Sequence, residues 1–320
     1  MERSVMNTEN LALELRDVRK QYDTPGGRID ALAGMTLSAE QHKIHAFLGP
    51  NGAGKTTSLE MAVGLRAPSS GTVRTLGLDP LTAHKELSQR VSIQPQEAKI
   101  FEHLRVRELV ELWASFYPRP YPADAVLESL ELTHVLDRQV TKLSGGTLQR
   151  LNVALAMVSN PQVLILDEPS TGLDPRAREQ LWSVLGSWRD RGTTIILSTH
   201  SMEEATALAD SVFIVDAGRC VNAGDPEHLI SSLAGGPSVV FQVAEALTEA
   251  ERTRLRALGE LNIKPDRTAT LNTLRTDEAL QVLSRIGGCH SLSIHHPTLG
   301  DAYRAATGND LISTSDTTGD

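Results

Sequence analysis

Gly49-Pro50-Asn51-Gly52-Ala53-Gly54-Lys55-Thr56-Thr57 fits the phosphate-loop pattern G-x-x-x-x-G-K-[ST]. Glycines at 49, 52 and 54 admit backbone conformations closed to other residues, so successive N–H groups can converge on phosphate oxygens. Lys55 then reaches the terminal phosphates, and the Thr56 hydroxyl serves as a ligand for Mg²⁺. The flanking sequence agrees. Lys43 to Leu48 reads as a strand entering a buried sheet, and Thr56 to Leu65 as a helix whose positive end faces the phosphates. Strand, glycine-rich loop and helix in that order begin a layered α/β domain.

A second candidate anion nest lies far downstream. Leu143-Ser144-Gly145-Gly146 precedes the helical run Leu148 to Ala156. Ser144 suits an N-cap, and the glycines after it leave backbone N–H groups open, so the segment reads either as a simple helix cap or as an anion site. One chain thus carries two phosphate-reading elements and one phosphate-gripping lysine, which implies a site completed by a second copy.

Val163-Leu164-Ile165-Leu166-Asp167-Glu168-Pro169 is an apolar strand ending in two acids, where a doubly wound sheet places its ligands. Successive strand residues face opposite ways, so the two carboxylates receive different tasks. Asp167 is assigned to the Mg²⁺ shell, directly or through water, and Glu168 to polarising the attacking water. His200 ends another apolar strand, Thr194 to Thr199, and Ser201-Met202-Glu203-Glu204 behind it reads as a capping box. At that corner His200 either hydrogen-bonds a terminal phosphate or is a satisfied structural histidine. Gln96 offers an amide oxygen to Mg²⁺ or water, or is an ordinary loop residue. Tyr22 is either a stacking face for a purine or an edge aromatic.

The whole chain bounds the remaining choices. Its 320 residues have room for two domains. A formal net charge of −9 and a pI near 5.6 give no basic footprint for nucleic acid. Only Cys220 and Cys289 occur, without metal or redox spacing, as expected for a reducing cytosol. The first ten residues lack the apolar core of a signal peptide, and no run of 18 apolar residues exists, so a membrane role is expected to come through a partner.

Short apolar runs alternate with helical patterns from residue 11 to about 230, with strand candidates at Leu11–Leu15, Ile44–Leu48, Val91–Ile93, Val163–Leu166, Thr194–Ser198 and Val212–Val215. Between 97 and 142 the β signal vanishes. Val106, Leu109, Val110, Trp113 and Phe116 recur at helical spacing, and Tyr117 to Pro122 breaks the segment, which predicts a helical insert. Residues 231 to 308 read as β-α-β-β-α-β, a ferredoxin-like order and a small α+β domain, with a capping box at Thr248 and Glu251 and a linker at Gly235-Gly236-Pro237. Residues 1–10 and 309–320 are expected to be disordered. Adjacent His295 and His296 face opposite ways on a strand and do not share an ion.

With these motifs in order, the chain resembles the ATP-binding subunits of ABC transporters over roughly Leu11 to Leu229. The resemblance implies a P-loop NTPase fold with a helical insert, with ATP and Mg²⁺ bound. It makes Tyr22 the adenine-stacking aromatic, Gly49 to Thr57 the phosphate loop, Gln96 the Q-loop glutamine and Leu143 to Gly146 the signature. Asp167 and Glu168 become the Walker B acids, Thr171-Gly172-Leu173-Asp174 the D-loop and His200 the switch histidine. Two such domains pair head to tail in that family, so Ser144 and Gly146 of one would complete the site built on Lys55 of the other. Thr147 departs from the Gln or Met that many members carry. Ile294 to Tyr303 and Phe101 to Glu108 resemble segments of the multidrug, antibiotic and lipid exporter branch. The implied protein is a peripheral ATPase on the cytoplasmic side of the cell membrane, a homodimer bound to a separate permease, with the helical insert as the docking region. The alternatives are a soluble ABC-type ATPase acting on the ribosome or DNA, and a module that binds ATP without hydrolysing it.

Overall fold

Strands buried on both faces must lie inside a sheet covered from two sides, and three segments have that character: β3 (Ile44–Leu48), β6 (Val163–Asp167) and β7 (Thr194–Thr199) are buried at every residue. The computed structural model describes residues 10–25, 27–94, 101 and 103–309. Gln96 lies outside them, as do residues 1–9 and 310–320 of the ends expected to be disordered, 1–10 and 309–320. In the described part, contacts divide the chain into two compact units, with the division after Pro226.

The first unit holds two sheets. Before β3 come β1 (Leu11–Thr24) and β2 (Gly27–Glu40), and after it β4 (Ser70–Thr75); these form an antiparallel sheet of order β2-β1-β4. The strand expected at Leu11–Leu15 is therefore much longer, and Tyr22 pairs with Ile29 inside a hairpin rather than closing a short strand. The larger sheet has order β5-β6-β7-β3-β8-β9, with β5 (Val91–Gln94), β8 (Ser211–Asp216) and β9 (Arg219–Gly224). Its neighbours are parallel except for the β8–β9 hairpin. Ala217 and Gly218, both at positive φ, make the two-residue turn of that hairpin, the geometry that matches strand twist.

Parallel register sets the site. Leu48 of β3 lies opposite Thr199 of β7, and Asp167 of β6 opposite Ser198, so the carboxyl ends of three adjacent strands finish at one edge. Helix α1 (Lys55–Ala62) leaves that edge directly after β3 and stops at Ala62, short of the predicted Leu65, where Gly64 turns at φ +76. A short α2 (His84–Leu87) precedes β5.

Among the described residues the insert contains no strand. It is built from α3 (Val106–Ala114), α4 (Ala123–Ser129) and two 3₁₀ turns, and both helices pack on α5 (Gly145–Val158). Val106, Leu109 and Val110 are buried as the periodicity requires, whereas Phe116 is exposed. Helices α6 (Pro175–Asp190) and α7 (Met202–Leu208) complete the layer that includes the carboxyl-end loops. No helix is long and apolar enough to cross a membrane among the described residues.

From α8 (Pro226–Leu229), which begins at the division, a π-helical turn leads into the second unit's β10 (Ser238–Val243), α9 (Glu249–Arg256), β11 (Glu260–Ile263), β12 (Thr268–Asn272), α10 (Thr276–Leu283), β13 (Cys289–His295) and α11 (Leu299–Thr307). The sheet order is β11-β12-β10-β13, antiparallel throughout. Val239, Phe241 and Val243 alternate along β10 and pack with Leu255 of α9 and Ala279 and Leu283 of α10 in a separate core. Thr248 and Glu251 form a reciprocal capping box at the start of α9.

Candidate nucleotide-binding site

The phosphate loop is folded by close packing as much as by glycine freedom. Gly49 lies so near the Val215 carbonyl that a side chain there would collide with backbone, and Gly54, at φ +100, would place a Cβ 2.6 Å from the Ala31 carbonyl oxygen. The loop is further anchored by backbone bonds from Gly49 N to Thr199 O, 3.3 Å, and from Gly218 N to Ala53 O, 3.0 Å. The β8–β9 hairpin thus clamps the loop, a role that no sequence pattern announced.

Lys55 is 4% exposed, so its ammonium needs partners. It donates to the carbonyl oxygens of Gly49, 2.7 Å, and Pro50, 3.0 Å, and stands 3.9 Å from Glu168 Oε1. Burial pulls its pKa below the ordinary lysine value, and the charges of Glu168 and Asp167 act in the opposite sense. His200 is 42% exposed on its side chain, and its Nδ1 lies 3.3 Å from the same Glu168 Oε1. Lys55, at the start of α1, and His200, directly after β7, therefore converge on one carboxylate oxygen of Glu168.

Glu168 itself sits at φ +49, a left-handed conformation uncommon for a residue with a side chain. Its N–H is received by Ser198 through both Oγ, 3.0 Å, and the carbonyl, 3.2 Å. Gln149 Nε2 donates to the carbonyls of Glu168 and Pro169, 3.1 Å each, and Thr171 Oγ1 donates to Glu168 Oε2 at 3.2 Å. Ser198 Oγ also donates to Asp167 Oδ1. Ser198 and Gln149 were not picked out from the sequence; a serine inside an otherwise apolar buried strand was the one available signal for the first.

The residues suit a magnesium nucleotide. Thr56 presents an exposed hydroxyl at the first turn of α1, and Asp167, 3% exposed, uses Oδ1 for Ser198 and leaves Oδ2 without a hydrogen bond among the described residues. Hard oxygen donors of this kind beside a phosphate loop match Mg²⁺.

The signature segment is built differently. Ser144 and Gly145 are exposed at the N-terminus of α5, and Ser144 Oγ caps the helix by accepting from Thr147 N, 3.3 Å, while sharing a 2.8 Å bond with Thr147 Oγ1. A side chain at Gly146 would meet Gly172 O and Leu173, so the signature packs beside the Thr171–Asp174 turn, whose Asp174 caps α6 through Ala177 N, 2.9 Å. No hydrogen bond or ion pair joins Leu143–Gly146 to the phosphate loop among the described residues. Nor does one tie Tyr22 to that loop: its ring lies 5.3 Å from both Lys20 Nζ and the Arg66 guanidinium. The capping box read at Ser201 is half formed. Ser201 Oγ accepts from Glu204 N, 3.2 Å, but the Glu204 carboxylate turns away to Ser170 and Trp182.

Residues 32–171 match the ABC transporter family. The chain is 33% identical over 323 residues to the daunorubicin/doxorubicin resistance ATP-binding protein DrrA of Streptomyces peucetius, spanning 95% of each chain. The chain belongs to the ABC transporter family. It is an ATPase of that family and binds ATP. It is also 37% identical over 228 residues to the Nod factor export ATP-binding protein I of Burkholderia orbicola (strain AU 1054), which covers 70% of this chain and 74% of that protein. Among solved structures, an ATP-binding subunit of an ABC transporter superposes with a TM-score of 0.63 at 25% identity, over 70% of this chain and 94% of that one. A dimeric ATP-binding cassette in a post-hydrolysis state, bound to ADP and Pi, gives a TM-score of 0.61 at 24% identity over 67% and 98%, a likeness of fold.

Proposed function

We propose that this ABC ATPase powers export through a separate membrane permease, held at the cytoplasmic side of the membrane, and that it works as a head-to-tail homodimer. The observation that carries the reading is the convergence of Lys55 and His200 on one carboxylate oxygen of Glu168 beside a phosphate loop, with the signature left exposed elsewhere on the chain. One relative is named for Nod factor export and the other for daunorubicin/doxorubicin resistance, which supports export here, in this reading of a drug, antibiotic or lipid.

In this reading Gly49 to Thr57 grip the triphosphate, with Lys55 leaving the Gly49 and Pro50 carbonyls for phosphate oxygens. Glu168 accepts the proton of the attacking water, and His200, whose Nδ1 stands 3.3 Å from that carboxylate, contacts the terminal phosphate and registers its loss. When bound, Mg²⁺ would be held by Thr56 and, directly or through water, by Asp167 and Gln96, and supplies positive charge to the phosphate oxygens. Tyr22 receives the adenine. Leu143 to Gly146 close the site from the second copy, and Asp174 fixes the turn beside them.

A cleft of about 170 Å³ lined by Leu65, His84, Leu87, Ile93, Trp113 and Tyr117 supports docking of the permease at the edge of the helical insert. It is mostly apolar, Leu65 is 63% exposed, and the buried Trp113 Nε1 has no hydrogen-bond partner among the described residues. We assign 11–230 as the nucleotide-binding domain. The sheet order β11-β12-β10-β13 supports a ferredoxin-like domain over 231–308.

Mixing purified Lys55→Ala and Ser144→Arg proteins tests the shared site. Each alone is expected to be inactive, while statistical assortment gives half heterodimers with one intact site each, or about a quarter of wild-type phosphate release. No recovery on mixing, with wild-type monomers active at dilution, overturns the dimer.

A further inference from the structure

Glu204, the third residue of α7, is 1% exposed, yet among the described residues no cationic side chain stands within ion-pair distance of it. Its Oε1 accepts from Ser170 Oγ and, at 3.1 Å, from Trp182 Nε1 on α6. The same indole N–H is 3.2 Å from Ser170 Oγ, so the three side chains close a triangle. A buried carboxylate without a counter-ion is costly, and the first turn of α7 offsets that cost only in part.

The positions of the three partners give the triangle its meaning. Ser170 follows Glu168 by two residues, and Glu204 follows His200 by four. Glu168 holds a left-handed backbone, a conformation that lasts only where the surroundings over-determine it. Ser198 fixes its N–H and Gln149 its carbonyl. Beyond Pro169 the chain turns at once, through Thr171 N to Glu168 O and Leu173 N to Ser170 O, and the Ser170 side chain ties that turn to α7 through Glu204 and to α6 through Trp182. The cap from Ser201 then fixes Glu204 relative to the corner that carries His200.

We propose that Glu204 is a positioning residue for ATP hydrolysis. Its carboxylate ties the turn carrying Glu168 to the corner carrying His200, and Trp182 braces the tie against α6, so that both groups meet the terminal phosphate together. This rests on the roles given above to Glu168 and His200. The opposing reading is a structural carboxylate that merely stabilises the start of α7, and the two differ in what they do to turnover at fixed nucleotide affinity.

The test uses the full chain and measures steady-state phosphate release, ATP affinity and thermal midpoint for Glu204→Ala, Ser170→Ala and Glu204→Gln. Because small misplacements near a reacting centre cost up to about 100-fold, Glu204→Ala is expected to lower kcat by roughly ten-fold or more with ATP affinity within about two-fold. Ser170→Ala, at a half-buried position, is expected to lose several-fold in kcat, and Glu204→Gln, which keeps an Oε1 acceptor for both donors, to recover most of the loss. If Glu204 acts through Glu168, adding Glu204→Ala to Glu168→Gln slows turnover no further. Wild-type kcat in folded Ser170→Ala overturns the proposal even if Glu204→Ala fails to fold. So does a double variant slower by the product of the single effects. If Glu168→Gln itself keeps full turnover, the assignment of Glu168 falls instead; an inactive Glu168→Gln beside fully active Glu204→Ala and Ser170→Ala removes the positioning role alone.

Discussion

Lys55 and Ser144 both face phosphate in the proposed site, but one is 4% exposed and held by two carbonyls and a carboxylate, whereas the other stands exposed with Thr147 as its partner. A buried ammonium must be satisfied inside its own chain, because burial strips it of most of its solvent partners. An exposed helix N-terminus is satisfied by water and can exchange that water for an anion at little cost. The difference teaches how labour divides within a single fold. The buried end carries the chemistry and is assembled in the monomer, and the exposed end acquires its use when a second copy supplies the phosphate.

The sharpest way to break that comparison is Glu168→Gln. Removing the carboxylate on which Lys55 and His200 converge is expected to slow hydrolysis by roughly 10²- to 10⁴-fold, the range of general-base assistance, while ATP still binds and holds the pair of chains closed. Single-turnover phosphate release and gel filtration with ATP measure the two halves of the outcome. Turnover within a few-fold of wild type would mean that the buried cluster is structural and that the chemistry lies elsewhere.

Ser144→Ala probes the exposed end and should do less to the monomer. Loss of the N-cap costs about 0.5–2 kcal/mol in the stability of α5, read from urea unfolding. ATP affinity of the isolated chain is expected to stay unchanged, because among the described residues no hydrogen bond links Ser144 to the phosphate loop of its own chain. Turnover should fall only where dimers form. A weakened monomer affinity would show that both ends serve one pocket after all.

Legibility in the sequence follows the same line. The phosphate loop, the two acids and the histidine stand out in the sequence because each proposed role there calls for a residue type at a fixed spacing. The parallel register of β3, β6 and β7 then brings Leu48, Asp167 and Thr199 to one edge, as a doubly wound sheet requires. What was not read is what holds those groups. Ser198 acts through its register opposite Asp167, Gln149 through the packing of α5, and the β8–β9 hairpin through Gly218, and none of these leaves a local pattern. β2 and β9 escaped for a related reason. Their burial alternates and glycines interrupt or end them, so neither shows the apolar run that marked the central strands. At Ser201 a genuine local signal was present, and tertiary packing redirected half of it when Glu204 met Ser170 and Trp182.

The smallest effect concerns the footing of the buried end. His45 on β3, three residues before the end of the strand that feeds the phosphate loop, stacks on Phe213, and its Nε2 meets the Glu40 carbonyl at 2.8 Å while Nδ1 is buried without a hydrogen-bond partner among the described residues. Burial lowers its pKa; the bond to Glu40 and the charges of Asp210 and Glu40 work against that shift, and Lys43 adds to it. The native state therefore keeps a neutral imidazole at pH values where the unfolded chain takes up a proton. Stability from this group is complete above the unfolded value of about 6.5 and is lost progressively as pH falls below it toward the lowered native value. His45→Gln, which cannot titrate, should flatten the pH dependence of unfolding below about pH 6.5. Hydrogen exchange at mild acid should rise in residues 49–57 of the wild type before it rises at 143–147, since β3 supports the first and α5 the second. Equal slopes for variant and wild type would detach His45 from the buried end, and a simultaneous rise at both segments would mean that the two ends share one cooperative unit.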